Sequence, residues 1–416
     1  AAKKILENWR AMFRPFVALT LLILAMALSS AAKERSSAPA AAEQVRIAVS
    51  LDASWSFAID PTGQAPIDEW AATLPSQRNV ELPHSWKITG QSAVWYAREI
   101  TFPGDGQVDV LLNLDHPVGT LDVLLDGKPA ARFTGNGLPQ STRLHGEGGS
   151  THHLALRLGR TGLPLSTRQE PIYGLGHISM ELLPPIRIDA LTAVMDPRKK
   201  TLTARYRLFT ATPVTAGLKL EALSADGRHS IDRDQQILNL SAEGVNGEKA
   251  FVIKRMLDWS PREPGNSYRV RATLQVAGKV VDTRELTCGA CAATLTGEGL
   301  QINGQALQLK GIRLPGGIPM RYQPANEKKA GDDNAEETKR LTLEETIRHE
   351  LELARRAGFN AIMADGSALP EEVLAAADAL GMLVIGEIPL NDADPQIRST
   401  LEACAQHPCI IAWSWA

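Results

Sequence analysis

The chain has 416 residues, a formal net charge of −3 and 44 % hydrophobic residues. This is the composition of a globular protein, and the length is enough for several domains of roughly 100–200 residues each. Lys and Arg (44 in all) nearly balance Asp and Glu (47 in all), so the charge indicates no nucleic-acid partner.

The chain begins with a segment that is typical of export. Basic residues precede an apolar run over residues 16–28, and small residues follow at 29–32. This order predicts a cleaved signal peptide over residues 1–32. The uncharged span 15–32 also has the minimum length of a transmembrane helix, so an N-terminal hydrophobic helix retained as a membrane anchor is the alternative. A buried core helix fits the basic flank less well.

Either of the two favoured alternatives exports the rest of the chain to the periplasm or the extracellular space. A membrane contact, if there is one, would run through residues 15–32. No cysteine follows the apolar run, so a lipoprotein anchor is not indicated. Residues 33–46 are rich in Ala, Ser and Pro, which predicts a linker.

Residues 47–184 have the pattern of an antiparallel β domain. Short alternating runs such as 108–113 and 120–125 are separated by turn signals such as Asp126-Gly127. Strands at this spacing predict a sandwich or jelly roll. His152 and His153 are neighbours in one predicted strand, so their side chains should point to opposite faces, and we interpret them as structural.

Residues 185–291 predict a second β domain, which begins after Pro184. Its length and strands are typical of an immunoglobulin-like β-sandwich, in architecture only, because no Cys…Trp…Cys pattern is present. Cys288 and Cys291 are compatible with plain small residues, with a local disulfide, or with metal or redox chemistry. The first is favoured because no second such pair completes a metal site. We expect no metal and no cofactor.

Residues 292–416 alternate short apolar runs with helical patterns. This alternation predicts βα units around a parallel sheet, here about four strands, which is half of a (β/α)8 TIM barrel. Residues 326–337 predict either a long exposed loop near a site or a disordered insertion. The predicted strands are 308–312, 359–363, 382–385 and 409–413, and the predicted helices are 343–357, 370–380 and 394–405.

Several local strings follow one another along the chain: Ser50–Phe57 with Asp60-Pro61, Leu82–Trp86, Val94–Arg98, Asp126–Gly135, Gly174–Ile178, Leu300–Ile312, Ala357–Ile362, Ala377–Glu387 and His407–Ser414. In this order they resemble glycoside hydrolase family 2, the family of β-galactosidases, β-glucuronidases and β-mannosidases. The resemblance extends from about residue 48 to the end of the chain, and the order and spacing of the strings are more specific than any one of them.

This resemblance implies hydrolysis of β-linked glycans by a retaining mechanism. Such a reaction uses an acid/base carboxyl group and a nucleophilic carboxylate roughly 5 Å apart. The family pattern places the acid/base Glu directly after the fourth barrel strand and the nucleophile on the seventh, both beyond Ala416. We therefore expect a truncated chain without hydrolase activity. A half barrel also leaves two strand edges unpaired, which is a second reason for this expectation.

The first two barrel strands depart from the family pattern. Arg313, Leu314 and Pro315 stand where it has Asn-Arg-His, and Met363 and Gly366 stand where it has Arg-x-x-His. A Met cannot offer the charge-assisted hydrogen bonds of an Arg. These departures favour an alternative function, namely a non-catalytic, membrane-anchored carbohydrate-binding or scaffold protein of an exopolysaccharide system.

Four residues at the ends of barrel strands are candidates for carbohydrate binding. Glu387 ends the third strand, where it is either a site carboxylate or a structural acid at the rim. Trp413 and Trp415 share one face of the fourth strand and either stack on a sugar or pack in the core. Asp365 is a weaker candidate. Aromatic residues of the first β domain are interpreted as core rather than as a sugar-binding surface: Trp55, Trp86, Trp95 and Tyr96.

Overall fold

A computed structural model gives the structure of the protein. It describes residues 46–75, 78–87, 92–115, 117, 119–133, 139–159, 172–297, 299–315, 343–365, 369, 371–388, 401 and 404–415. The predicted signal peptide or anchor, nearly all of the predicted linker, the segment 326–337 and most of the predicted helix 394–405 lie outside these residues. None of the helices described is long and apolar enough to cross a membrane.

The first β domain consists of two antiparallel sheets and a small two-stranded sheet. One sheet has the strand order β1-β12-β6-β9, the second has β3-β2-β5-β10-β7-β8, and β4 pairs with β11. In chain order, the elements are β1 (Ala48–Ser50), β2 (Trp55–Asp60), α1 (Ile67–Ala72), β3 (Arg78–Val80), β4 (His84–Lys87), β5 (Ala93–Thr101), β6 (Gln107–Leu114), β7 (Thr120–Leu125), β8 (Lys128–Phe133), β9 (Gln140–Glu147), β10 (Thr151–Gly159), β11 (Ile172–Leu175) and β12 (Ile178–Leu183).

The core of this domain lies between the two large sheets. Alternate residues of β6 and of β10, such as Leu112 and Leu156, are fully buried in one apolar cluster. Burial of each such leucine stabilises the fold by about 1.5–3 kcal/mol. The interpretation of the aromatic residues as core is confirmed for Trp55, Trp95 and Tyr96, which are all fully buried. The side chain of Trp86 lies outside the described part.

His152, the first of the two histidines of β10, has structural surroundings, as predicted. Nδ1 of His152 is 2.7 Å from a carboxylate oxygen of Asp126, and its Nε2 is 2.7 Å from the hydroxyl of Ser150. The imidazole ring also packs against Phe102. His152 therefore fixes the turn between β7 and β8 against β10.

The second β domain is built from two antiparallel sheets of long strands. The strand orders are β13-β14-β17 and β16-β15-β18-β19, and alternate apolar residues of both sheets form one core. Cys288 is buried in that core, and it and Cys291 are free thiols. The strands are β13 (Ile186–Asp196), β14 (Thr201–Thr210), β15 (Val214–Ser224), β16 (Ser230–Leu240), β17 (Val245–Val252), β18 (Tyr268–Val276) and β19 (Lys279–Cys288).

Arg46 joins the two β domains. Its guanidinium donates two hydrogen bonds of 2.7 Å to the buried carboxylate of Asp282 in β19 and one of 2.9 Å to Glu181 in β12. It also donates to the carbonyl of Ile188 in β13. Bidentate pairing of an arginine with a buried carboxylate is strong and directional. The last residue of the predicted linker is thus part of the domain junction.

The remaining segment contains a small antiparallel sheet and a four-stranded parallel sheet. The parallel sheet has the order β23-β24-β25-β26, as the alternating pattern predicts. The elements are β20 (Ala293–Thr296), β21 (Gly299–Ile302), β22 (Gln305–Ala306), β23 (Gly311–Pro315), α2 (Leu343–Arg356), β24 (Ala361–Asp365), α3 (Glu371–Leu380), β25 (Leu383–Ile388) and β26 (Ile410–Trp415).

The bounds of α2 and α3 agree with the prediction to within one residue, but the strands begin one to three residues later than predicted. The side chain of Asn360 explains the largest difference. It accepts a hydrogen bond from the amide of Lys310 and donates one to the carbonyl of Gln308. These backbone groups are therefore bound by a side chain and do not join the ladder of β23.

Candidate functional site

The carboxyl ends of the four parallel strands lie at one edge of their sheet. Each strand pairs in parallel with the next, so successive strand ends present their side chains side by side. In sheets of this kind, loops and side chains at the carboxyl ends are the usual place for a binding site. This edge is the first place to look for function.

The two faces of the parallel sheet differ in what covers them. Ile362 and Val384 are paired, fully buried and packed in one cluster with Val373 of α3. The alternate residues Met363 and Ile385 are also paired but only half-buried. Because side chains alternate along a strand, they lie on the other face, which we call the open face.

Glu387 lies on the open face at the end of β25. It follows Ile385 by two residues, is half-buried and pairs with Ser414 of β26. Asp365 holds the equivalent position at the end of β24, two residues after Met363, and its side chain lies outside the described part. The positions of Asp365, Glu387 and Ser414, on three adjacent strands, are called the strand-end site below.

The strand-end site brings together two of the residues that the sequence singles out, and it adds Ser414. A carboxylate accepts hydrogen bonds and a hydroxyl both donates and accepts them, which suits recognition of sugar hydroxyl groups. The hydroxyl of Ser414 lies 3.4 Å from the carbonyl of Gly386. Ser414 follows Ala412 by two residues, so the alternation of side chains along β26 places Ser414 on the open face as well. This spacing is the signal that could have identified Ser414.

Trp413 lies on the face of the sheet opposite Glu387. It pairs with Gly386, and a methyl group added to Gly386 would overlap the six-membered ring of the indole. The indole therefore covers the backbone of β25 on the helix-packed side. This placement favours the packing alternative for Trp413. The backbone of Trp415 pairs with that of Ile388. Trp415 follows Trp413 by two residues, so its position is on the same face of the sheet, but its side chain lies outside the described part.

A row of mainly apolar residues precedes the strand-end site on the open face. Arg313, Met363 and Ile385 are in register across β23, β24 and β25, and Ala412 continues the row in β26. Met363 thus stands in the middle of the open face, with neither charge nor hydrogen-bond donor. Met363 stands where the family pattern has an arginine. This departure therefore changes the surface directly beside the strand-end site.

A buried histidine supports β26 from the other end of the strand. Nδ1 of His407 is 2.7 Å from Oδ2 of Asp378, and Nε2 is 3.1 Å from Oε2 of Glu371, both on α3. The other oxygen of Asp378 accepts a hydrogen bond from the amide of Cys409. Burial opposes the imidazolium, but the bonds to the two carboxylates outweigh it and raise the pKa of His407 to about 9.

The described residues contain no group of three or more His, Cys, Asp or Glu side chains that could hold a metal ion. Burial raises the pKa of the Cys291 and Cys404 thiols to about 12. Reactive thiols have a lowered pKa instead, so these two are suited to packing.

Known structures share this arrangement of two β domains followed by a parallel sheet. A glycosyl hydrolase family 2 member from Bacteroides cellulosilyticus superposes with a TM-score of 0.69 at 19 % identity, over 88 % of this chain and 52 % of that one. The chain has the fold of glycosyl hydrolase family 2. The β-glucuronidase of Bacteroides uniformis gives a TM-score of 0.74 at 20 % identity, over 89 % of this chain and 46 % of that one.

A β-glucuronidase from Ruminococcus gnavus in complex with D-glucuronic acid is a further similar structure. Its TM-score is 0.64 at 16 % identity, over 89 % of this chain and 66 % of that one. The chain spans about half the length of the first two structures. No protein-family model matches the sequence, and no curated protein matches it significantly. The resemblance read from the sequence is thus confirmed for the fold.

Proposed function

We propose that the protein is a glycoside hydrolase-like protein of family 2 that recognises β-linked glycans outside the cytoplasm. In this proposal the two β domains are a jelly roll and an immunoglobulin-like sandwich, and the parallel sheet is the first half of a (β/α)8 barrel. The family 2 fold of the described residues and the ordered strings of the sequence support it. Export rests on the basic and apolar pattern of residues 1–32.

The observation that carries the proposal is the position of Glu387. Its carboxylate ends the third parallel strand on the open face, beside Ser414 and level with Asp365. A sugar ring in this place could donate hydroxyl hydrogen bonds to Glu387. Hydrogen bonds to a charged group contribute about 1.5–3 kcal/mol each, so one such residue has a measurable effect on affinity.

We infer that these 416 residues bind a glycan without cleaving it. Retaining hydrolysis needs two carboxyl groups roughly 5 Å apart. The family pattern assigns neither of them to a residue of this sequence, because it places both after Ala416. Glu387 is therefore proposed as a binding residue and not as the acid/base or the nucleophile.

Titration with 4-nitrophenyl β-glycosides tests the binding and the lack of cleavage in one sample. We expect saturable binding by calorimetry and no release of 4-nitrophenol. Glu387→Gln should weaken binding about tenfold, the equivalent of ~1.4 kcal/mol. Glu243→Gln, in an exposed turn of the second β domain, is the matched control and should bind as the parent does.

Two outcomes would contradict the proposal. Release of 4-nitrophenol that persists after repurification would show that the chain has its own catalytic groups. Absence of binding, or equally strong binding by Glu387→Gln, would show that the strand-end site does not recognise the glycan.

The apolar row on the open face favours a second candidate, a non-catalytic carbohydrate-binding or scaffold protein. Met363 stands where the family pattern has an arginine; its neighbours in the row are Arg313 on one side and Ile385 on the other, and Ala412 follows Ile385. The gene sequence after codon 416 discriminates between the two. An Asn-Glu pair directly after Ala416 and a second Glu on a later strand would favour the enzyme, and a continuation without them would favour the binding protein.

A further inference from the structure

A cavity of about 240 Å³ lies at the junction between the two β domains. Ser141, Thr142 and Arg143 of β9 line it from the first domain, and Asp189 of β13 and Arg284 of β19 line it from the second. The cavity is remote in sequence from the strand-end site. The inference drawn from it does not depend on the proposed function.

The charged groups of this cavity are mostly cationic. Three guanidinium groups line it, those of Arg46, Arg143 and Arg284, against a single carboxylate, that of Asp189. Arg46 is bound from behind by Asp282 and Glu181. Its charge is therefore largely compensated, and the two other arginines decide what the cavity attracts.

Arg143 retains donors for a ligand. It uses Nη2 for a 2.7 Å hydrogen bond to Asp189, and its side chain is 41 % exposed. The same carboxylate of Asp189 is 3.0 Å from Nε of Arg187, which is completely buried. Nε of Arg207 also lies 3.8 Å from Asp189, so three arginines share this carboxylate, which cannot neutralise all of them.

Arg284 is the least compensated of the three. Its Nη2 lies 3.4 Å from Glu181, and its Nε is buried without a hydrogen-bond partner among the described residues. Burial lowers the pKa of Arg284, and the neighbouring Arg46 lowers it further. The side chain of Arg284 is 33 % exposed, so it is a partly buried cation without a good partner; desolvation of such a charge is costly, and an anion beside it would offset part of that cost.

The volume limits the ligand to a small one. Liquid water takes up about 30 Å³ per molecule, so 240 Å³ corresponds to about eight water molecules or one small solute. It is below the roughly 300–1,000 Å³ of sites that enclose drug-sized ligands. The hydroxyl group of Ser141, which lies on the same face of β9 as Arg143, and the guanidinium groups are the donors that oxyanions prefer.

We propose that this cavity binds a small oxyanion, which is either the carboxylate of a single acidic sugar unit or a free inorganic anion such as sulfate. The ligand would bridge the two β domains, with Arg143 on one side and Arg284 on the other. Arginine suits this role because its planar fork matches the geometry of two oxyanion oxygens.

Calorimetric titration of the 416-residue chain with sodium sulfate, sodium glucuronate and neutral glucose, at constant ionic strength, tests the proposal. We expect millimolar or tighter binding of at least one of the two anions and none of glucose. Arg284→Gln and Arg143→Gln should each weaken anion binding at least tenfold. Arg132→Gln, on the other sheet of the first domain and 71 % exposed, should leave it unchanged.

Comparison of the sulfate and glucuronate titrations identifies the source of the ligand. Glucuronate that binds more tightly than sulfate and displaces it indicates an acidic sugar, and sulfate that is not displaced by glucuronate indicates an inorganic anion. Arg143→Gln keeps the test decisive if Arg284→Gln does not fold, because Arg143 is half-exposed. Absence of binding by both anions, or binding that survives both substitutions, would overturn the proposal.

Discussion

The imidazole of His407 makes the attachment of β26 to α3 dependent on pH. Its pKa is about 9 in the folded chain, against about 6.5 in an unfolded one. A raised pKa means that the protonated form stabilises the fold. The contribution is complete below about pH 6.5 and is lost as the pH rises through about 9.

The difference between the two pKa values sets the size of this contribution. At ~1.4 kcal/mol for each pH unit, the shift corresponds to an upper value of about 3 kcal/mol. His407 and Asp378 are largely shielded from solvent, but Glu371 is 60 % exposed, so its share is screened. We therefore expect about 2 kcal/mol, equivalent to roughly thirtyfold in a local opening equilibrium.

Hydrogen exchange measured by mass spectrometry can report the local loss of stability around His407, because the amide of Cys409 donates a hydrogen bond to Asp378. Exchange rates are first corrected for the intrinsic effect of pH. Protection of residues 407–415 should then fall between about pH 7 and about pH 10. Protection of β18 in the second β domain serves as the internal reference.

Two variants separate the effect of His407 from general alkaline weakening. His407→Gln can still donate a hydrogen bond to Asp378 but does not titrate, so the pH dependence of residues 407–415 should disappear. His145→Gln removes a histidine that is 70 % exposed and should behave as the parent does. Equal protection of the parent at both pH values, or unchanged pH dependence in His407→Gln, would refute the reasoning.

Two further predictions concern packing and the domain junction. Gly386→Ala should lower the free energy of unfolding by about 1–3 kcal/mol, because its methyl group would overlap the ring of Trp413. Gly265→Ala has open space at that position and should be near neutral in the same urea titration followed by tryptophan fluorescence. Asp282→Asn should cost about 3–5 kcal/mol, because it breaks a buried ion pair. Asp226→Asn, at an exposed turn, is its control in thermal unfolding, and equal midpoints for the two would contradict the role of the pair.

The sequence predicts the elements of this fold because their patterns are local. The period of the apolar residues identifies the helix that starts at Leu343 and the alternating strands of both β domains. The start of β23 is not predicted, because it depends on a hydrogen bond between Lys310 and Asn360, fifty positions apart. A pattern read within one strand cannot contain such a contact.

The candidate site is predicted less completely than the fold. Glu387 is found from its place at the end of a strand. The face of Trp413 depends on the register between β25 and β26, which shifts by one residue between Val384 and Ile385. Such a shift turns every following side chain to the other face. Only the structure therefore shows that Trp413 and Glu387 lie on opposite faces of the sheet.

The four hydrogen bonds of Arg46 determine how a force applied at the amino end of the chain would be distributed. A pull on that end would reach Asp282 in the second β domain and Glu181 in the first at the same time. Neither domain would bear the load alone, and β1 would not be peeled from its sheet first. For the same reason, a shortened version of the protein should begin before this arginine, since one that begins at Ile47 would lose these four hydrogen bonds at the junction of its first two domains.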